Sequence, residues 1–145
     1  MVTEDTYIAV LSGDQFSNVI ITQAIDMFIE STEVYVASHD GKKITSSSIS
    51  NTRATDSKDF ISIQFETAKS LVLTPEHQVY IVEDKQWKRA AQLRTGQHVL
   101  TSDNKPKKIT STHIIRDLIS HKIYALAVTP DQCYFANDVL IHNES

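Results

Sequence analysis

The chain has little of several things that would decide its class. Among its 145 residues there is one cysteine, Cys133, so no disulfide can close within it. A lone thiol fits a reducing, cytoplasmic compartment. Only three glycines and three prolines occur, so turns must draw on Asn, Asp and Ser, as in "SHDGKK" and "TSDNKP". No apolar run approaches the ~18 residues of a membrane span. No positive stretch followed by an apolar one opens the sequence, so no secretory signal is expected. There is no surplus of basic residues: 14 Lys and Arg stand against 18 Asp and Glu, a net charge of -4, which argues against nucleic acid as a partner. Six histidines occur, but none falls in a spaced His/Cys cluster, so neither a metal nor another cofactor is expected.

What is present suits a globular domain. Hydrophobic residues make up 41% and charged residues 22%, ordinary proportions for a soluble protein, and the length allows one domain with its own core. "EDTYIAVLSGD" reads as a strand broken at Gly13-Asp14. "NVIITQAIDMFIES" begins as a strand and then places Ile25, Phe28 and Ile29 at the i, i+3, i+4 spacing of a helix face, with Thr22 as the N-cap. "TEVYVASHD" predicts a strand that turns at Asp40-Gly41. The Ser/Thr-rich "KKITSSSISNTRATDSKDF" reads as strands with polar outer faces, since Thr favours strands and Ile44 and Ile49 interrupt the polarity. Alternation then marks strands at Ile61, Ile63 and Phe65, and around Val72, Val79 and Ile81. "WKRAAQLRTGQHVLTSD" predicts a short turn or helical piece holding Trp87 and Leu93, then a strand at His98–Leu100. "SDNKPKKIT" is a polar exposed loop. The remaining segments, "KITSTHIIRDLI", "HKIYALAVT" and "CYFANDVLIHN", are strand-like. Short strands at this spacing predict an all-β sandwich or closed, barrel-like fold.

Three places hold residues suited to chemistry. His142-Asn143 is the first. An asparagine side-chain nitrogen can attack its own backbone carbonyl, close a succinimide and expel the next residue. A neighbouring histidine can protonate the departing amine or hold the developing oxyanion. Its plain alternative is a disposable chain end. The second is "TPEH", where Thr74 and His77 can point across a tight turn at one backbone carbonyl; the alternative is a turn with a solvated histidine. The third is "VTEDT", where Asp5-Thr6 alone would be a local side-chain-to-backbone turn. Trp87 reads as core or cap, Cys133 as a half-buried strand residue, and His39, His98 and His113 as ordinary surface or satisfied histidines.

Taken in order and at these distances, "VTEDT", "TPEH" and "IYALAV…CYFANDVLIHN" resemble the splicing domains of inteins, the Hint family shared with hedgehog and bacterial intein-like domains. "NVIITQAIDMFIE" and "WKRAAQLRTGQHVL" are similar to further segments of that family, so the resemblance covers essentially the whole chain. It implies an all-β Hint horseshoe with one or two short helices. The activity it implies is single-turnover protein splicing by acyl shift, transesterification and Asn cyclisation. A Hint splicing domain would occupy 1–143, with an insertion or split point near 102–107, without a homing endonuclease. Residues 144–145 would be a remnant of the downstream host segment. The partners implied are flanking extein segments in cis, or a complementary split fragment in trans, acting on a monomer.

Residue by residue, the resemblance gives Thr74 and His77 the upstream junction, His142 and Asn143 the downstream cyclisation, and Gln132 and His121 supporting places. Met1 stands at the nucleophile position, where a thioether cannot perform an acyl shift. Glu144 stands at the acceptor position, where the family has Cys, Ser or Thr. Ala125 and Gln132 stand where many relatives carry Asp and His. The resemblance therefore implies a junction that can be cut but not joined. Two alternatives remain: an intein-like or hedgehog-like domain that cleaves without ligating, and a non-catalytic β-rich binding module.

Overall fold

The computed structural model describes residues 1–31, 33–67 and 69–143. Strands dominate, and the described residues contain one α-helix and one 3-10 turn, in line with the all-β expectation. Twelve strands make one sheet: β1 Val2–Thr3, β2 Tyr7–Ser12, β3 Gln15–Ile20, β4 Tyr35–His39, β5 Ile44–Phe65, β6 Leu71–Leu73, β7 Gln78–Ile81, β8 Gln86–Arg89, β9 His98–Leu100, β10 Pro106–Thr129, β11 Cys133–Ala136 and β12 Val139–His142. Their order is β11-β12-β7-β9-β10-β1-β6-β5-β4-β2-β3, with β8 on the flank of β7. A pairing of Ala136 with Ile8 joins β11 to β2, so the sheet folds back on itself as the strand spacing predicted.

The scaffold is a pair of long strands. The Ser/Thr-rich segment and the alternating run after it are a single 22-residue strand, β5, and the two segments after the polar loop merge into the 24-residue β10. These pair antiparallel from Ile109↔Phe65 to Thr129↔Ser48. Continuity was hidden because burial changes along each strand. The middle of β5 is polar and solvated, while Phe60–Ile63 are buried on both faces. Between Arg116 and His121 the register slips, and Leu118 and Ile119 face solvent there.

Several local expectations need correction. The helix α1 spans Ile21–Glu30, with Ile20 at the N-cap position and no side-chain cap. β3 runs straight into it and the Ile21 N–H donates to the Thr6 carbonyl (2.8 Å), so Thr22 lies inside the helix. Its buried face is Ile21 and Ala24, flanked by Ile25 and Phe28, while Ile29 is 73% exposed. Trp87 belongs to β8, opposite Tyr80 on β7. "CYFANDVLIHN" is two strands joined at Asn137-Asp138, both at positive φ (46° and 65°), the pattern of a tight hairpin turn. Cys133 is buried, not half-buried (2% exposed). The loop at 101–105 is closed by the Thr101 N–H on the Lys105 carbonyl (3.0 Å), but Lys107 beyond it is buried at 5% exposure.

Topology brings the ends together. β1 lies between β10 and β6, with Val2 opposite both Tyr124 and Leu73. That pins Met1 in the interior, where it packs with Phe60, Ile123 and Ala125. β12 pairs with β7 through Ile141↔Val79, so the residues after it emerge beside the turn that precedes β7. That turn is Thr74–His77.

Candidate functional site

The turn that carries "TPEH" is held from both sides. The His77 N–H donates to the Thr74 carbonyl (3.2 Å), and the N–H groups of Ala90 and Ala91, in the 3-10 turn, donate to the carbonyls of His77 (2.8 Å) and Pro75 (2.9 Å). The 3-10 turn Ala90–Gln92 thus works as a strap. Thr74 and His77 are buried as a result, at 3% and 2% exposure, which rules out a solvated histidine. Below them, the Thr74 N–H donates to the Met1 carbonyl (2.9 Å).

Their side chains meet at the Met1 nitrogen, which donates to Thr74 Oγ1 (2.9 Å) and contacts His77 Nδ1. The other ring nitrogen, His77 Nε2, donates to the His142 carbonyl (2.7 Å). One imidazole therefore bridges the backbone at Met1 and the backbone next to Asn143. A neutral ring has a single N–H. With that hydrogen on Nε2, Nδ1 is the acceptor facing Met1.

At the other end, His142 Nδ1 donates to the Asn143 carbonyl oxygen (2.8 Å). Asn143 is fixed twice more: its backbone N–H donates to the Gln132 carbonyl (2.9 Å), and its side-chain Nδ2 donates to the Val128 carbonyl (3.0 Å). The Asn143 carbonyl is polarised by a histidine N–H while the amide nitrogen of the same residue is tethered. A cleft of about 230 Å³ opens beside these groups, lined by Glu76, His77, Gln78, His142 and Asn143. His142 in turn meets the indole of Trp87, with ring centroids 5.0 Å apart and planes at 88°. Nothing in the sequence singled out Trp87 for this place; pairing it with Tyr80 across two adjacent strands would have.

Four of the expected residues, Thr74, His77, His142 and Asn143, converge with Met1. Two others stand apart. Gln132 has an exposed side chain at positive φ (58°) and reaches Asn143 only through its carbonyl. His121 lies on the flank of the Met1 cluster, its Nε2 on Asp117 Oδ2 (2.7 Å) and its ring 6.0 Å from that of Phe60. It has no contact with Asn143 among the bonds described. Ala125 packs against Met1 as an apolar neighbour. Glu144 lies outside the described residues.

The thiol of Cys133 points away from this chemistry. It donates to the His39 carbonyl (3.3 Å) and sits beside Ser38 Oγ (3.5 Å), and burial pushes its pKa up. Asp5-Thr6 lies in a local turn, but a backbone bond closes it, the Thr6 N–H on the Thr3 carbonyl (3.2 Å), and not the side-chain-to-backbone bond expected; Thr3 Oγ1 donates to Asp5 Oδ1 (2.7 Å) beside it. No group of three or more metal-ligating side chains occurs among the described residues. No helix among them is long and apolar enough to cross a membrane.

No protein-family model matches the chain, and no curated protein matches it. Solved structures do. The TvoVMA intein superposes with a TM-score of 0.83 at 14% identity, covering 99% of this chain and 97% of that one. A DnaB intein from Synechocystis sp. PCC 6803 gives 0.79 at 17% identity, covering 99% and 98%. A bacterial intein-like domain from Clostridium thermocellum gives 0.73 at 16% identity, covering 96% and 99%. At these identities the likeness speaks for architecture alone: the chain has the all-β fold of these intein structures over nearly their whole length.

Proposed function

We propose that the chain is a protein-splicing domain of the mini-intein kind that has kept the residues of its downstream cleavage and lost both nucleophiles needed for ligation. The observation that carries the reading is the contact of His142 Nδ1 with the Asn143 carbonyl oxygen, at 2.8 Å. Residues 1–143 form the self-processing domain, and Glu144-Ser145 belong to the downstream flanking segment. Asn143 Nδ2 attacks the Asn143 carbonyl carbon, and the C–N bond to Glu144 breaks. The ring nitrogen keeps one hydrogen, the other moves to the departing amine, and the domain ends in a succinimide. Throughout, the His142 N–H faces the oxygen on which charge develops. Fixing the amide by its Val128 and Gln132 contacts removes orientational freedom, a form of catalysis worth up to ~7–11 kcal/mol in favourable cases.

Upstream, Thr74 and His77 face the nitrogen that would leave in a first acyl shift. Met1 offers that shift no nucleophile, because a thioether sulfur has no proton to lose and no stable acyl form. Glu144 offers no hydroxyl or thiol to take over an acyl group. The domain acts in cis on the segments that flank it, as a monomer. The loop at 102–107 is the place for a split or an insertion.

The test uses the chain between two reporter proteins. With Met1 and Glu144 unchanged, warm incubation releases the downstream reporter after Asn143 and leaves the upstream one attached. Asn143→Ala stops the release. With Met1→Cys and Glu144→Ser, the two reporters become joined. A second reading is favoured by the full-length match to the intein-like domain: cleavage without ligation. Free reporters with no joined product, from the restored chain, would select it. Release that persists in Asn143→Ala would overturn both.

A further inference from the structure

We infer that Trp87 is a positioning residue for the downstream cleavage, acting through His142. The inference rests on the reading of Asn143 and His142 given above and adds a residue to it. His142 has two ring nitrogens, and only one ring orientation places Nδ1 on the Asn143 carbonyl. Backbone pairing fixes where the residue sits but not how its ring turns, since rotation about the last side-chain bond is broad and nearly two-fold. Something must select the orientation.

The indole of Trp87 is placed to do so. β7 lies between β12 and β8, and its pairings Ile141↔Val79 and Tyr80↔Trp87 set the faces. Side chains alternate across a strand, so Leu140 and His142 share a face with Gln78 and Tyr80, and with Trp87 on the far side. Trp87 thus reaches across β7, over a span of about 10 Å between strand axes, to meet His142. Tyr80 holds the indole from the side, with centroids 5.4 Å apart and planes at 70°. Trp87, Tyr80, Leu140 and Cys133 belong to one apolar cluster, so the indole is a fixed wall. His142 packs at right angles to it, with Nδ1 turned to Asn143 and not to solvent. Upstream, His77 and Thr74 are oriented by the 3-10 turn and by Met1, and Trp87 contacts neither among the ring contacts described.

That separation supplies the test. In the chain carrying Met1→Cys between an upstream and a downstream reporter, release of the upstream reporter is driven by an added thiol and downstream release is followed separately by intact mass. Trp87→Leu keeps an apolar side chain in the cluster, though a smaller one, and offers no flat wall. We expect it to slow downstream release about tenfold, the scale at which a lost orientation shows, and to leave thiol-driven cleavage unchanged. Trp87→Phe restores most of the downstream rate, and circular dichroism checks that both variants fold. Equal slowing at both junctions would make Trp87 merely structural and overturn the inference, as would an unchanged downstream rate. If Leu unfolds the chain, Phe against Met at the same position decides, because Met fills space without a plane. Asn143→Ala runs alongside: release that survives it refutes the underlying reading and not the role of Trp87.

Discussion

Replacing His142 by Ala removes one hydrogen bond whose energetic weight can be worked from its geometry. The Nδ1–H lies 2.8 Å from the Asn143 carbonyl oxygen, the atom on which negative charge would grow in the proposed ring closure. Removing one such donor from a preorganised site slows reactions by ~10²–10³. His142 is part-buried, and water can enter the space and replace some of the lost interaction, so the lower end applies. The expected effect is about 100-fold, or ~2.7 kcal/mol at 1.36 kcal/mol per tenfold. The assay is the release of a downstream reporter from the otherwise unaltered chain, timed by intact mass. Imidazole added to the Ala variant should restore part of the rate, since the adjoining cleft of about 230 Å³ admits a free ring. A His142→Ala chain that releases its reporter at the parent rate would refute the reasoning, because the carbonyl would then need no donor.

Lys107 is 5% exposed, its Nζ has no hydrogen-bond partner among the described residues, and it stands 4.7 Å from the centre of the Phe65 ring. Burial pulls its pKa below the ordinary 10.5, against the opposing pull of Asp138 and Asp103. The folded chain then binds fewer protons than the unfolded one between the lowered value and 10.5, so stability should rise with pH through that window. In Lys107→Met the rise should vanish and neutral-pH stability should increase by about 1 kcal/mol, as read by urea unfolding; a loss of stability would show that the ammonium is well paired. Asn137 accepts from the Tyr7 N–H (2.8 Å), donates to the Ser70 carbonyl (2.9 Å) and holds a φ of 46°. Asn137→Ala should cost ~2–4 kcal/mol from two hydrogen bonds and a left-handed backbone, and Asn137→Gly should recover the backbone share. Cys133 should react slowly with Ellman's reagent in the folded chain and fast in urea, and Cys133→Ala should leave downstream release unchanged; loss of release would show that the thiol takes part in the cleavage.

The short, regular parts of the fold were legible because their periodicity is local. β9 falls at His98–Leu100 as expected, and the turns at Gly13 and Asp40-Gly41 are where hydrophobic alternation breaks. The long strands were not legible. Sequence periodicity reports burial, and β5 and β10 each pass from solvent to a two-sided core without leaving the extended conformation. Thr22 failed as a cap because β3 runs on to Ile20 and the helix begins at Ile21, which puts Thr22 inside the first turn; the Thr6 carbonyl takes the Ile21 N–H, one of the four that a helix start leaves open.

The site divides along the same line. Thr74, His77, His142 and Asn143 could be proposed because their residue types suit the chemistry and the resemblance to inteins gave their order along the chain. What joins them was invisible, because it depends on non-local pairing. Val2 opposite Leu73 brings Met1 under Thr74, and Ile141 opposite Val79 brings Asn143 beside His77. A one-residue slip in either pairing would turn every side chain of that strand to the opposite face. The His77 ring would then lose one of its two backbone contacts. The registers of two very short strands, β1 and β12, therefore carry the geometry that the motifs presuppose. Substitutions at Val2 or Ile141, both fully buried, should disturb the site before they unfold the domain.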